Sequence, residues 1–380
     1  MTRVDFLSGG AAHGLVRAIA ADAGVEIGGH FGAVGAMRER FLAGEPCDIV
    51  ILTHAQVAAL CAQERAEPRM CADLGSVATS IAVRSGDGVP DVSNADALRA
   101  ALLGADAIYF PDPAKATAGI HFAKVLDLLG IAQRVEDRLR IFPNGSTAMA
   151  QMAQAPGRPL GCTQATEIVA TPGVTWVAPL PKGFDLSTVY TAAVSRAARD
   201  PGGAKRFYER LADDGAAALR QRAGFEGARI RPATNRDREG AVRVMQAGAA
   251  ELGIPWPAAR VEREYADLEA TFVAPGGTFD VAIAPDGRVV GCAGLQLIDR
   301  NTGRLRAMYV ERAWRRQGLA RRLLERMEAF ARSRRMERVE LETATVMKEA
   351  IALYEASGYE PIERTACGAE GCDLAFARRL

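Results

Sequence analysis

Residues Leu305 to Leu324 read LRAMYVERAWRRQGLARRLL, and the pattern changes period part-way. Leu305, Ala307, Tyr309 and Val310 stand among charged residues as in a strand, whereas Leu319, Leu323, Leu324 and Met327 recur at helical spacing. Between them lies Arg315-Arg316-Gln317-Gly318-Leu319-Ala320, a basic turn containing glycine. A turn that ends a strand and opens a helix leaves backbone N–H groups unpaired at a positive helix end, which is the chemistry of a phosphate site. Gly318 lets a ligand approach the backbone closely, and Ala320 keeps the next contact small. A solvated basic turn is the other reading of the same residues, and the flanking segments decide between the two.

Working outward, the chain of 380 residues is too long for one ordinary core and suits two or three domains. Its formal charge of +1 gives no bulk electrostatic argument for nucleic acid or an anionic membrane as partner. No apolar run approaches the roughly 20 residues of a membrane helix. The opening MTRVDFLSGG has no long apolar segment of the kind a secretory leader carries, so a cytoplasmic location is expected. Seven cysteines, an odd number at irregular spacing, suit reduced thiols better than a disulfide framework. Cys367 and Cys372 could begin a metal site, but every histidine (13, 30, 54 and 121) lies in the first third, and no metal is expected.

From Ala228 onward the predicted order is a strand (229–232), helices (about 237–252 and 259–271) and a meander (279–284, 289–298, 305–310). Pro285-Asp286-Gly287 and Asn301-Thr302-Gly303 supply its turns. Then follow helix 319–333, strand 339–343, helix 348–357 and strands 359–363 and 373–377. This order, the R-x-x-G-x-A turn and Ala350-Ile-Ala-Leu-Tyr354-Glu-Ala-Ser-Gly-Tyr359 together resemble the GNAT acyl-CoA N-acyltransferases. The resemblance implies acetyl-CoA as co-substrate, with backbone groups of Met308 and Val310 on its pantetheine arm. Arg315, Arg316, Gln317, Gly318, Leu319 and Ala320 would surround its pyrophosphate, and arginines 321, 322 and 326 could reach the ribose phosphate or form a solvated face. Tyr354 matches the family's general acid, with core packing against Ile351 and Phe330 as its other reading. No histidine follows residue 121, so the base is a water chain or a carboxylate such as Glu251, Glu342 or Asp299.

The first 226 residues alternate strand-like runs (4–7, 48–52, 77–83, 107–110, 160–163, 175–177) with helical ones (12–23, 33–42, 95–103, 121–129, 146–154), as in an open sheet covered by helices. In such folds a ligand lies beyond the carboxyl ends of strands, over helix N-termini. Phe41-Leu-Ala-Gly-Glu-Pro-Cys-Asp-Ile-Val-Ile-Leu, Asp112-Pro-Ala-Lys-Ala-Thr-Ala-Gly119 and Pro159-Leu-Gly-Cys162 resemble the periplasmic molybdate-binding proteins and related two-lobed solute-binding proteins. By that resemblance, lobe one is about 1–80 plus 190–226 and lobe two about 81–189. The family's oxyanion contacts would fall near Gly10, Gly35, Ala118, Ser146 and Gln164, and Ser8, Ser146, Thr147, Thr163 and Gln164 could donate side-chain hydrogen bonds. Two serine hydroxyls and a tyrosine usual in that family are absent, and Gly10 and Gly35 retain only N–H donors. A small anion or a polar molecule is therefore implied rather than molybdate itself, and an empty cleft kept as a scaffold is the alternative. His13, His54 and His121 read as polar residues at loop or helix ends.

Together these readings predict an α/β chain: a type II periplasmic-binding-protein-like domain (1–226) followed by an α+β GNAT domain (228–380). The expected activity is acetyl transfer to a small or protein amine, with the first domain binding a small molecule or recruiting substrate. The alternative is a sensor of acetyl-CoA and a cleft ligand with negligible turnover.

Overall fold

The structure, a computed structural model, describes residues 2–254, 256, 258–363 and 372–380. It contains two compact units, residues 1–57 with 73–227 and residues 58–72 with 228–380.

The strands of the first unit are β1 (Arg3–Gly9), β2 (Glu26–Gly32), β3 (Ile49–Thr53), β4 (Ala66–Arg84, from residue 73 onward), β5 (Ala107–Pro111), β6 (Leu139–Phe142), β7 (Pro159–Gln164), β8 (Val174–Pro179) and β9 (Ser187–Ser195). They run in the order β2-β1-β3-β9-β4-β7-β5-β6, with β8 also on β4. β1, β2 and β3 pair in parallel, as do β5, β6 and β7, whereas β9 lies antiparallel to β3 and β4 antiparallel to β7. Two parallel groups are thus joined through the antiparallel strands β9 and β4, which is a two-lobed α/β architecture with helices following the parallel strands. Lobe two has its own core, in which Phe110, Phe122, Leu98, Leu102 and Val125 pack around Ile81 and Ile108. Strands β2, β6 and β9 are absent from the sequence reading for visible reasons. β2 is EIGGHFG and mostly accessible, β6 is a four-residue edge strand, and β9 (STVYTAAVS) is made largely of small residues and threonine.

The second unit holds β10 (Arg229–Pro232), β11 (Thr278–Ile283), β12 (Val289–Leu297), β13 (Thr302–Val310), β14 (Arg338–Thr343), β15 (Glu360–Ile362) and β16 (Leu374–Arg379), in the order β10-β11-β12-β13-β14-β16-β15. Only β13 and β14 pair in parallel. One face is covered by helix Leu319–Ser333, whose Leu319, Leu323, Leu324, Met327 and Phe330 meet Val290, Ala293, Leu295 and Leu341. On the other face Val244 and Met245 of helix Arg238–Glu251, with Phe272, meet Phe279, Val281 and Cys292. Buried on both sides, β12 reads as a nearly continuous run of apolar and small residues. The helix expected over 259–271 is instead Ala258–Glu264 followed by a π-turn, Glu269–Val273.

Residues 58–72 join this unit through arginine chemistry that no local pattern reveals. Arg326, only 6 % exposed, donates from Nε to Asp280 Oδ2 at 2.6 Å and from Nη2 to the Cys71 carbonyl at 2.9 Å. Arg69 donates to the Gly277 carbonyl at 2.6 Å and lies over the Phe330 ring. The possibility that Arg326 reaches a ribose phosphate is therefore corrected: its guanidinium is consumed inside the fold, where a buried charge must be paired.

Candidate functional site

Two sites emerge, one in each unit. In the second, β13 pairs with β14 only from Thr302 to Leu305, opposite Arg338 to Leu341. Beyond that point β13 continues to Val310 and β14 to Thr343 without pairing to each other, so the sheet opens between them. Ala307 sits at positive φ (54°), and the β12–β13 register shifts between Cys292 and Gly294. The bulge changes which residues face which side. Leu305 and Met308 pack on the face of helix Leu319–Ser333, and Ala307 and Tyr309 on the opposite face. A pocket follows the opening, lined by Met308 and Tyr309, by Leu341, Glu342 and Thr343, and by Tyr354.

Tyr354 lies in helix Lys348–Ala356, is 5 % exposed and packs its ring 5.8 Å from that of Tyr359. Burial raises its pKa well above that of a free phenol, so it keeps its proton at neutral pH and can act as a donor. The neighbouring Tyr309 is pushed up to about 12, also mainly by burial.

At the turn, Gly318 adopts φ 75° and is the N-cap of helix Leu319–Ser333. No side chain caps that end and no acidic residue occupies its first turn. A Cβ at Gly318 would meet nothing within 4 Å, so its glycine answers to backbone conformation and leaves open space before the helix. Arg316 is exposed and also at positive φ, 61°. Gln317 donates to the Ala313 carbonyl. Arg315 differs from its neighbours. It forks onto both Glu251 oxygens at 2.9 and 2.7 Å and donates from Nε to the Val310 carbonyl at 3.0 Å, bracing the turn against the strand.

Of the three candidate carboxylates, Glu251 is held by Arg315, which lowers its pKa, and Asp299 accepts the N–H groups of Asn301 and Thr302 in a surface turn. Glu342 lines the pocket. Glu264, absent from the sequence reading, also lines it and pairs with Arg306 at 2.7 Å. On a short helix with charged neighbours, nothing in the sequence separated it from a solvated face.

In the first unit a cleft is lined by Gly10, Ala11, Gly32, Ala33, Val34 and Tyr190 on one side. Pro111, Ala116, Thr117, Ala118, Asn144 and Gly145 line the other, with Gln164 and Glu167 completing it. Glu167 is 6 % exposed, and its Oε2 accepts from Thr163 Oγ1 at 2.6 Å. Burial raises its pKa, opposed by hydrogen bonding from Thr163 and from the backbone of Ser146, Gln164 and Gly145.

The chain matches the family described as bacterial extracellular solute-binding protein over residues 8–226. The chain belongs to that family. A second match, to the acetyltransferase (GNAT) family, covers residues 241–359 and marks the second unit as a GNAT domain. An aconitate isomerase of a Pseudomonas species is 26 % identical over 198 residues, spanning 52 % of this chain and 74 % of that protein. The uncharacterized N-acetyltransferase YjgM of Escherichia coli (strain K12) is 34 % identical over 120 residues, 30 % of this chain and 71 % of that protein. Among solved structures, the periplasmic molybdate-binding protein of Azotobacter vinelandii aligns with a TM-score of 0.49 at 18 % identity, covering 58 % of this chain and 98 % of that one.

Within the solute-binding domain, the structure brings Gly10, Ala118 and Gln164 to the cleft. Ser8 is fully buried and donates to the Gly9 carbonyl, while the Gly35 N–H is spent on the Lys115 carbonyl at 3.2 Å; neither lines it. Ser146 contributes backbone toward Glu167 rather than a hydroxyl to the lining. Of the histidines, His54 meets Asp73 at 3.3 Å, His121 the Phe184 carbonyl at 2.7 Å, and His13 stacks near Phe31. No group of metal-ligating residues occurs among the described residues; Cys367 lies outside them. Within the GNAT domain, Met308, Tyr309 and Tyr354 share the pocket, and Val310 and the turn residues Arg315 to Ala320 follow along the chain. No helix among the described residues is long and apolar enough to cross a membrane.

Proposed function

We propose that the GNAT domain transfers acetyl from acetyl-CoA to an amine. The observation that carries this reading is the opening between β13 and β14, with Tyr354 on its wall and the uncapped start of helix Leu319–Ser333 next along the chain. The free edge of β13, at the backbone of Met308 and the N–H of Val310, would hold the pantetheine by hydrogen bonds. The N–H groups at Gly318 to Ala320, with Arg316 and Gln317, would receive the pyrophosphate. Arg315 would position that turn through Glu251. Bound acetyl-CoA supplies the activated acyl group. Tyr354, kept protonated, gives its proton to the departing sulfur, and Glu264 or Glu342 takes up the amine proton directly or through water.

We place the protein in the cytoplasm, where buried thiols such as those of Cys47, Cys162 and Cys292 stay reduced. The solute-binding domain then serves as a small-molecule site attached to the transferase. The isomerase activity named for the Pseudomonas relative, 26 % identical over 198 residues, is not carried over to this chain.

A CoA-release assay across an amine panel tests the reading. Tyr354→Phe is expected to lower kcat roughly a hundredfold while leaving acetyl-CoA affinity within about twofold. Turnover undiminished in the variant contradicts the role of Tyr354, and no release with any amine contradicts the transferase.

A further inference from the structure

The cleft of the solute-binding domain is built around a carboxyl group of its own. At the start of helix Gly145–Met152, the Thr147 N–H is taken by Asn144 Oδ1 at 2.9 Å, and the backbone of Gly145 and Ser146 is directed to Glu167. A Cβ at Gly145 would lie 2.0 Å from Glu167 Oε2, and one at Gly10 would lie 2.4 Å from Oε1. Glycine at these two places, which face each other across the cleft, leaves the space that the carboxyl occupies. The carboxyl thus lies against the start of that helix, in the place a bound oxyanion would otherwise take.

A second feature is left without a partner. Gln164 is 2 % exposed and lines the cleft, yet neither its Oε1 nor its Nε2 has a hydrogen-bond partner among the described residues. Burying both ends of an amide unpaired is costly, and a ligand offering one donor beside one acceptor would remove that cost. The lining contains no lysine or arginine, and its one carboxyl side chain is that of Glu167.

On the reading that this cleft is a ligand site, we infer that the Glu167 carboxyl is a resident occupant of the oxyanion position. The cleft, which encloses about 20 Å³ and must widen to take more than a water, then admits an uncharged or cationic small molecule bearing a carboxamide-like donor and acceptor, paired with Gln164, in place of a tetrahedral anion. Thr163 and the two glycines hold the occupant, and Gln164 reads the ligand.

Isothermal titration of the full-length protein with molybdate, sulfate and glycinamide tests this. The wild type is expected to bind glycinamide and neither oxyanion. Glu167→Ala is expected to acquire oxyanion binding at least tenfold tighter than the wild type, and Gln164→Ala to lose glycinamide binding at least tenfold. Because removal of a buried carboxyl can unfold the domain, Glu167→Ser is carried in parallel with circular dichroism, and the same gain is expected. Oxyanion binding by the wild type as tight as by the folded variants overturns the resident occupant. A folded variant that gains oxyanion binding while the wild type ignores glycinamide overturns the ligand class. Silence of every protein toward all three probes overturns the cleft as a ligand site, and the inference with it.

Discussion

Two helix N-termini in this chain, at Gly145 and at Leu319, have the same backbone chemistry and opposite surroundings. The first is capped by Asn144 and closed by an internal carboxyl. The second has no side-chain cap, no acid in its first turn and open space in front of Gly318. A helix start becomes an anion site only where the chain leaves its donors unspent. That difference, more than the presence of glycine, separates the GNAT turn from the solute-binding cleft.

Charge placed at the open terminus should have the largest effect. Gly318→Glu puts a carboxylate where we propose that pyrophosphate binds, and acetyl-CoA affinity measured by calorimetry is expected to fall roughly a hundredfold or more. A change below threefold would break the comparison. Next, the same small substitution should act unequally at the two ends. Gly145→Ala forces a methyl against Thr163 Oγ1 at 1.9 Å and Glu167 Oε2 at 2.0 Å, and a loss of about 3 kcal/mol in chemical denaturation is expected. Gly318→Ala meets no neighbour and carries only the cost of positive φ, about 1 kcal/mol. Equal losses would remove the distinction.

The smallest effect is a pH dependence. Burial raises the Glu167 pKa above its ordinary 4.5, so the folded protein binds this proton more tightly than the unfolded chain. Its contribution to stability is therefore favourable in acid and lost as pH rises from about 4.5 through the raised value. Glu167→Gln should gain stability relative to the wild type across that window and hold the gain above it. A difference independent of pH would show that the carboxyl is not buried as described.

Much of this could be read in the sequence, and what could not has a common cause. The second unit was legible because its apolar runs are set apart by turns such as Pro285-Asp286-Gly287, and because the turn at Gly318 and the segment ending at Tyr359 are local patterns. The bulge at Ala307 left only a faint mark, apolar Leu305 and Met308 three apart in a strand that should alternate. Glu167 left less. It reads as an ordinary acid in the first turn of a short helix, and its meaning depends on Gly10 and Gly145, far away in sequence. Arg326 likewise looked like one more exposed arginine until Asp280 and Cys71 were placed beside it. Period and punctuation are local, whereas the pairing of a buried charge is decided by the tertiary fold.

The most direct test sets the two termini against each other in one preparation. Titrating acetyl-CoA and then molybdate into the wild-type protein should give saturable heat with the first and none with the second. Saturable binding of molybdate without binding of acetyl-CoA would contradict the account.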